Sequence, residues 1–282
     1  MATGGVVVTG VSSGIGRASA LDLDRRGFRV FGGVRSEEDA ESIRREASER
    51  FAPLILDVTD ADAIARARET VERELGGEPL AGVVNNAGVG AGGPLEVLDI
   101  EDLRRTLEIN TIAPVAVTQA FIPALRASRG RVVNISSVGG RVAQPFLGPY
   151  SASKYGLEAL SDSLRRELLP WGIHVALIEP GNVKTRIWEK GASQLDEFRA
   201  RATDEQMRLY GSNLEQMEKV IALADRKGVA PEKIARAVAH ALTADRPRTR
   251  YLIGPDARVQ LSIDRALPTR VVDRLFARFM RG

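Results

Sequence analysis

Tyr150 and Lys154 stand four residues apart in the stretch GPYSASKYG, just after a glycine and a proline. Four residues make about one helical turn, so the two side chains share a face. Two readings are open. One is a helix start carrying an i,i+4 pair. The other is a phenol that gives and takes a proton, with a cation beside it that tunes the exchange. A second stretch able to do chemistry is VVVTGVSSGIG at 6–16, with three glycines after a strand-like run and at the mouth of a helical one. Gly10 allows a tight turn, Gly14 lets backbone approach a phosphate and Gly16 permits close helix packing. The spacing is G-x-x-x-G-x-G, and no lysine and hydroxyl follow as a P-loop requires. A pyrophosphate cradle is the expectation. The next strand-like run ends in Val34 and Arg35, with acids only from Glu37 onward. An acid at this tip binds a ribose 2′-hydroxyl, whereas an arginine favours a 2′-phosphate. NADP(H) is therefore the expected cofactor, with NAD(H) as the alternative.

Composition removes several other chemistries. The chain of 282 residues has no cysteine, so disulfides and thiolate metal ligands are ruled out, and a reducing compartment fits. His174 and His240 are its two histidines, far apart and without a ligand partner at metal spacing, so no metal site is expected. The net charge of +3 comes with well-mixed signs and no basic patch interleaved with aromatics, which speaks against a nucleic-acid partner. No signal peptide and no long apolar run is apparent, and a cytoplasmic protein is the expectation.

The elements that must position these residues follow from hydrophobic patterning. Strand-length apolar runs at 5–10, 29–34, 53–58, 80–88, 130–137, 173–181 and 249–254 alternate with helical patterns at 14–27, 36–50, 60–76, 99–127 and 151–170, with one more after Pro231. Near-continuous apolar strands between helices predict an α/β fold, a doubly wound parallel sheet of about seven strands covered on both faces. The whole of 1–282 reads as one domain. Residues 182–230 are a polar helical insertion and 260–282 a tail, both candidates to cover a substrate site outside the carboxyl ends of the strands.

Taken in order, TGVSSGIG (9–16), LDVTD (56–60), NNAG (85–88), the IN ending at Asn110, NISS (134–137), YSASK (150–154) and PGNVKT (180–185) resemble the short-chain dehydrogenase/reductase family. The wording of 130–141 and 150–168 is most similar to the branch acting on retinoids, steroids and related lipophilic alcohols. The resemblance implies an oxidoreductase in which Tyr150 is acid in carbonyl reduction and base in alcohol oxidation. Lys154 would lower the phenol's pKa and hold the nicotinamide ribose. Ser137 would bond the substrate oxygen, and Asn110 would hold a water linking Lys154 to solvent. Ser12, Ser13 and Ile15 would sit in the phosphate turn. Asp57 and Val58 would flank the adenine, and Asn86, Ala87 and Gly88 the ribose side. Pro180, Gly181, Val183 and Thr185 would meet the nicotinamide. One departure concerns Ser13, where many NADP-binding relatives carry a second basic residue.

The apolar residues Val138, Val142, Phe146 and Ile187, with Gly139, Leu147 and Tyr150, are the expected substrate wall. Trp188 and the 190–225 segment would form a lid. The substrate expectation is a small-molecule ketone, aldehyde or alcohol of lipophilic character. In the tail, Val271, Val272, Leu275, Phe276, Phe279 and Met280 recur at helical spacing opposite Arg270, Arg274, Arg278 and Arg281. That pattern predicts an amphipathic helix packed on the domain or on a partner subunit, with an anionic membrane surface as the alternative. The resemblance also implies a homodimer or homotetramer through the helices at 99–127 and 151–170. The competing functions are an NAD-dependent alcohol dehydrogenase of the same family and a non-catalytic dinucleotide-binding regulator. The intact Ser137–Tyr150–Lys154 set argues against the second.

Overall fold

The computed structural model describes residues 4–185 and 187–280, the side chains of 187–192, 194, 225 and 279 excepted. Seven short β-branched runs form strands β1 (Gly5–Thr9), β2 (Arg29–Val34), β3 (Phe51–Ile55), β4 (Leu80–Asn85), β5 (Arg131–Ile135), β6 (His174–Pro180) and β7 (Arg250–Ile253). They pair in the order β3-β2-β1-β4-β5-β6-β7, all parallel, with Val8 of β1 standing between Gly32 and Val84. The order reverses between β1 and β4, and such a reversal leaves a crevice at the carboxyl ends of the strands.

Successive strand residues feed opposite cores. Val6, Val8, Val84, Val133 and Ile178 pack with helices α1 (Gly14–Arg25), α2 (Glu37–Arg44) and, late in the chain, Pro231–Thr243. Val7, Val83, Val132 and Val175 pack on the other face with α3 (Ala61–Leu75) and the helices that follow β4 and β5. Period-two alternation thus splits apolar runs between two helical layers.

Two boundaries differ from the sequence expectation. β3 starts at Phe51, whose ring fills the space beside Gly32 so closely that a Cβ there would lie 2.5 Å from it. The strand therefore ends before Asp57 and Val58, which fall in the loop above the sheet. The pattern at 99–127 is α4 (Ile100–Leu107), a π-helical turn (Glu108–Ile112) and α5 (Ala113–Ser128). Pro114 has no N–H to give the Asn110 carbonyl, and the Ala113 N–H bonds Glu108 five residues back.

α6 (Gly148–Leu168) carries both Tyr150 and Lys154. The insertion after β6 forms α7 (Ile187–Arg201) and α8 (Asp204–Lys227), the latter started by a Thr203–Gln206 capping box. Its two ends meet in a parallel bridge between Val183 and Val229, where Lys184 N donates to Val229 O at 3.0 Å and Val229 N to Asn182 O at 2.9 Å. α9 (Pro231–Thr243), β7, α10 (Pro255–Ala266) and α11 (Thr269–Met280) complete the chain. His174 opens β6, and His240 on α9 bonds the Tyr251 hydroxyl at 2.9 Å.

Candidate active site

A cleft of about 790 Å³ opens above the carboxyl ends of the strands. Its floor begins at the glycine turn. Gly10 has φ +70°, and a Cβ there would lie 2.8 Å from the Ala87 backbone. At Gly16 a Cβ would reach 2.1 Å from the Gly10 carbonyl, so the helix start and the turn can approach only without a side chain. Asn86 fastens the two loops by donating from Nδ2 to the Thr9 and Gly10 carbonyls, each at 2.9 Å. Its amide is thus committed to the cradle itself.

The start of α1 differs from that of four α-helices that carry a side-chain cap. Ser36, Asp60, Asp99 and Thr203 cap α2, α3, α4 and α8 with their side chains. Ser13 makes no such bond to α1, whose first turn also lacks an acid. The first-turn N–H groups of α1 and the positive end of its dipole are left facing the cleft, with Ser12, Ser13, Gly14 and Ile15 on its wall. Such a terminus suits a pyrophosphate. At the far end stand Arg35, Asp57 and Val58. Asp57 Oδ1 accepts from Thr59 N at 2.9 Å and Thr59 Oγ1 at 2.7 Å. Those two bonds hold its carboxyl below the usual range, helped by the Arg35 and Arg105 guanidinium groups. Arg35 makes no ion pair among the described residues.

At the other end α6 delivers Tyr150 and Lys154, and the loop after β5 delivers Ser137. The Ser137 hydroxyl, beside the phenol, accepts from Gly139 N at 3.0 Å and donates to the Pro180 carbonyl at 3.4 Å. Lys154 Nζ donates to the Ile135 carbonyl at 2.8 Å and lies 5.8 Å from the centre of the Tyr150 ring. Burial brings its ammonium down to about 8, opposed by the charge of Glu158 one turn on. Burial pushes the Tyr150 phenol up, and the Ser137 hydroxyl pulls it down. In this arrangement the lysine gives its hydrogen bond to the Ile135 carbonyl, so its influence on the phenol is that of a nearby charge.

Asn110 lies behind this set, fully buried. Its side chain accepts from Val89 N at 2.8 Å and donates to Val89 O at 2.9 Å and Ser153 Oγ at 3.0 Å. Ser153 Oγ in turn donates to the Tyr150 carbonyl at 2.7 Å. The amide hydrogens are spent, so the side chain braces the first turn of α6.

Ala87, Gly88, Pro180, Gly181, Val183, Thr185, Ser137 and Val138 line the same cleft. Gly16 stands behind the wall. Two substrate expectations are corrected. Val142 is buried in a separate cluster with Ala257 and Leu261, because the turn after Val138 points it toward α10. Phe146, at φ +63°, does not line the cleft and sets its ring edge-on to Tyr210 of α8, 6.4 Å between centres. Pro145 and Leu147 face the cleft in its place. The side chains of Ile187 and Trp188 lie outside the described residues. From the 190–225 segment expected as a lid, Leu195, Met217, Val220 and Ile221 line the cleft, and the sequence reading missed Gln144, hydrogen-bonded to Gln260, and Arg105. The cleft also takes Phe276 and Met280 from α11, and their four-residue spacing with Val272 was the available signal.

The profile of the short chain dehydrogenase family matches residues 5–196. The chain belongs to this family. It is an oxidoreductase of the short-chain dehydrogenase/reductase kind. The NADPH-dependent 3-dehydrocapnine reductase of Ornithobacterium rhinotracheale is 38% identical, over 96% of this chain and 95% of that protein. Retinol dehydrogenase 5 of Homo sapiens is 40% identical, over 95% of this chain and 86% of its own. Among solved structures, a short-chain dehydrogenase from Streptomyces avermitilis superposes with TM-score 0.77 at 28% identity, covering 100% of this chain and 98% of that one. A short-chain dehydrogenase from Burkholderia cenocepacia J2315 in complex with NADP gives 0.73 at 25% identity, covering 97% of each chain.

Proposed function

We propose that this short-chain dehydrogenase/reductase interconverts a lipophilic ketone or aldehyde and its alcohol with NADP(H), Tyr150 carrying the proton. One observation carries the reading. The Ser137–Tyr150–Lys154 set lines the same cleft as the uncapped α1 terminus and the apolar residues Leu147, Leu195, Met217 and Ile221. The cofactor, when bound, supplies or accepts the hydride. The backbone of the glycine turn would hold its pyrophosphate, and Arg35, with no ion-pair partner among the described residues, its 2′-phosphate. The reductase relative named for NADPH supports the same choice.

The protein's own part is proton transfer and positioning. Tyr150, protonated at neutral pH, donates to the oxygen of the carbonyl as negative charge develops there. Ser137 gives that oxygen a second hydrogen bond. Lys154 keeps a positive charge below the phenol, offsetting the phenolate left behind. In oxidation each transfer runs in reverse. The apolar wall excludes water and selects an uncharged, lipophilic substrate. A homo-oligomer through α5 and α6 belongs to the same reading, supported by exposed Ile112 and Leu160.

Calorimetric titration of wild type and Arg35→Ala with NADPH and NADH tests it. Tighter NADPH binding that collapses in the variant is the expected result. Tighter NADH binding, indifferent to Arg35, would move the assignment to an NAD-dependent alcohol dehydrogenase.

A further inference from the structure

The last two helices present an apolar surface that nothing in the fold covers. On α10, Val259 is 57% exposed and Ile263 39%; on α11, Val271 is 36% and Leu275 44% exposed, with Leu267 at 37% between the helices. Each pair is spaced by four residues, and so lies on one side of its helix. The helices pack on each other. They are docked by different residues, α10 through Ala257 and Leu261, α11 through Val272, with Phe276 and Met280 turned into the cleft. The exposed residues are therefore not a core left open by poor packing. They are a second apolar side.

The charge around them is one-sided. Between Pro255 and Met280 there are five arginines, Arg258, Arg265, Arg270, Arg274 and Arg278, and three aspartates. All five arginines are exposed. Asp256 is turned inward to accept from Asn182 N at 2.7 Å, whereas Asp264 and Asp273 are exposed at the rim of a small cavity beside Tyr155. What faces outward is apolar residues with five guanidinium groups against two carboxylates, a net positive rim that suits a helix lying in the headgroup layer of anionic lipid. No described helix is long and apolar enough to cross a membrane, which fits a surface that rests on the bilayer.

The same element closes the substrate cleft. α11 gives Phe276 and Met280 to the cleft wall while Val271 and Leu275 face out. We propose that α10 and α11 together dock the protein on an anionic membrane surface, placing the cleft's α11 wall against the lipid that holds the substrate. The proposal deepens the lipophilic-substrate reading and rests on it only for the purpose of docking. Binding to vesicles is measured without substrate or cofactor, so either idea can fail alone.

The test is cosedimentation of the full chain with phosphatidylcholine vesicles, with and without phosphatidylglycerol, at low and high salt. The expected result is partitioning that needs phosphatidylglycerol and weakens with salt. Val259→Glu/Leu275→Glu should lower it at least tenfold, with the thermal midpoint and NADPH affinity unchanged. Arg270→Gln/Arg274→Gln, which leaves the apolar residues intact, should lower it about fivefold for each arginine removed, the equivalent of about 1 kcal/mol near an anionic surface. No partitioning to either vesicle overturns the proposal, as does equal partitioning of wild type and both variants. A wild-type oligomer that Val259→Glu/Leu275→Glu splits into monomers, without vesicle binding, assigns the surface to a second copy instead and equally overturns it.

Discussion

The phenol and the lysine of α6 are four residues apart, yet their environments move them in different ways. Tyr150 is pushed above its ordinary value by burial and restrained by Ser137. Reduction uses the protonated phenol, so its kcat/KM should stay level through neutral pH and fall only above that raised value. In Ser137→Ala the restraining hydroxyl is gone and the fall should move to still higher pH; a shift to lower pH contradicts this assignment. Tyr150→Phe should cost about 10²–10⁴-fold in kcat while NADPH affinity, read by calorimetry, is retained. Lys154 makes a statement about stability. Its ammonium titrates at about 8 in the fold against an ordinary 10.5, because burial penalises the charge. Between those values the unfolded chain binds more protons, so this group's contribution to stability rises with pH. Thermal unfolding of wild type and Lys154→Met across pH 8 to 10.5 measures it. The difference should grow in favour of wild type, and a constant difference would count against the burial argument.

At the scale of elements, what the sequence made readable was local. Every strand was found because apolar runs of four to seven residues between helical patterns have few other uses, and the glycine turn because its spacing forbids side chains. The π turn could have been found from Pro114, which leaves the Asn110 carbonyl without an α-helical donor, but the helical periodicity of 99–127 runs through it unbroken. The substrate wall was the least readable part. Val142 and Phe146 are apolar loop residues like Val138 and Leu147, and only the path of the loop decides that one pair packs away from the cleft. Leu195 and Met217 come from the insertion far along the chain, whose place over the cleft was readable as a segment but not residue by residue, whereas Phe276 was marked only by its helical spacing in the tail. Phe276→Ala opens the cleft at its α11 wall. It should lower kcat/KM about tenfold for a bulky apolar carbonyl and less for a small one, as lost apolar contact requires. Equal losses for both substrates would place Phe276 outside the substrate's reach.

At the scale of the whole molecule, one arginine ties the β6–β7 edge of the sheet to α6. Arg250 of β7 bonds Glu158 Oε2 and Asp162 Oδ2 on α6 and Glu179 Oε1 on β6, each at 3.0 Å. Glu179 also pairs with Arg141 at 3.0 Å. Glu158 and Glu179 are buried, and burial pushes the Glu158 carboxyl up. Arg250→Met leaves these carboxylates without their common cation and should cost about 3 kcal/mol by urea unfolding. The loss should ease as pH falls, because Glu158 can then take a proton, and a loss independent of pH would argue for a packing defect. Solution mass tests the assembly: Leu160→Glu on the exposed side of α6 should reduce the oligomer to a smaller species without unfolding it.

The insertion between β6 and α9 leaves the domain and returns to it through one pair of backbone-bonded residues, Val183 and Val229. A segment whose two ends are joined at its base imposes no length requirement on the sheet beneath. The forty-odd residues between can be shortened, lengthened or exchanged for those of another member while the strand order, the glycine turn and the Ser137–Tyr150–Lys154 set keep their places. Substrate range and catalytic machinery are in that sense separately inheritable, and the bridge is the seam at which a transplanted lid would be sewn in.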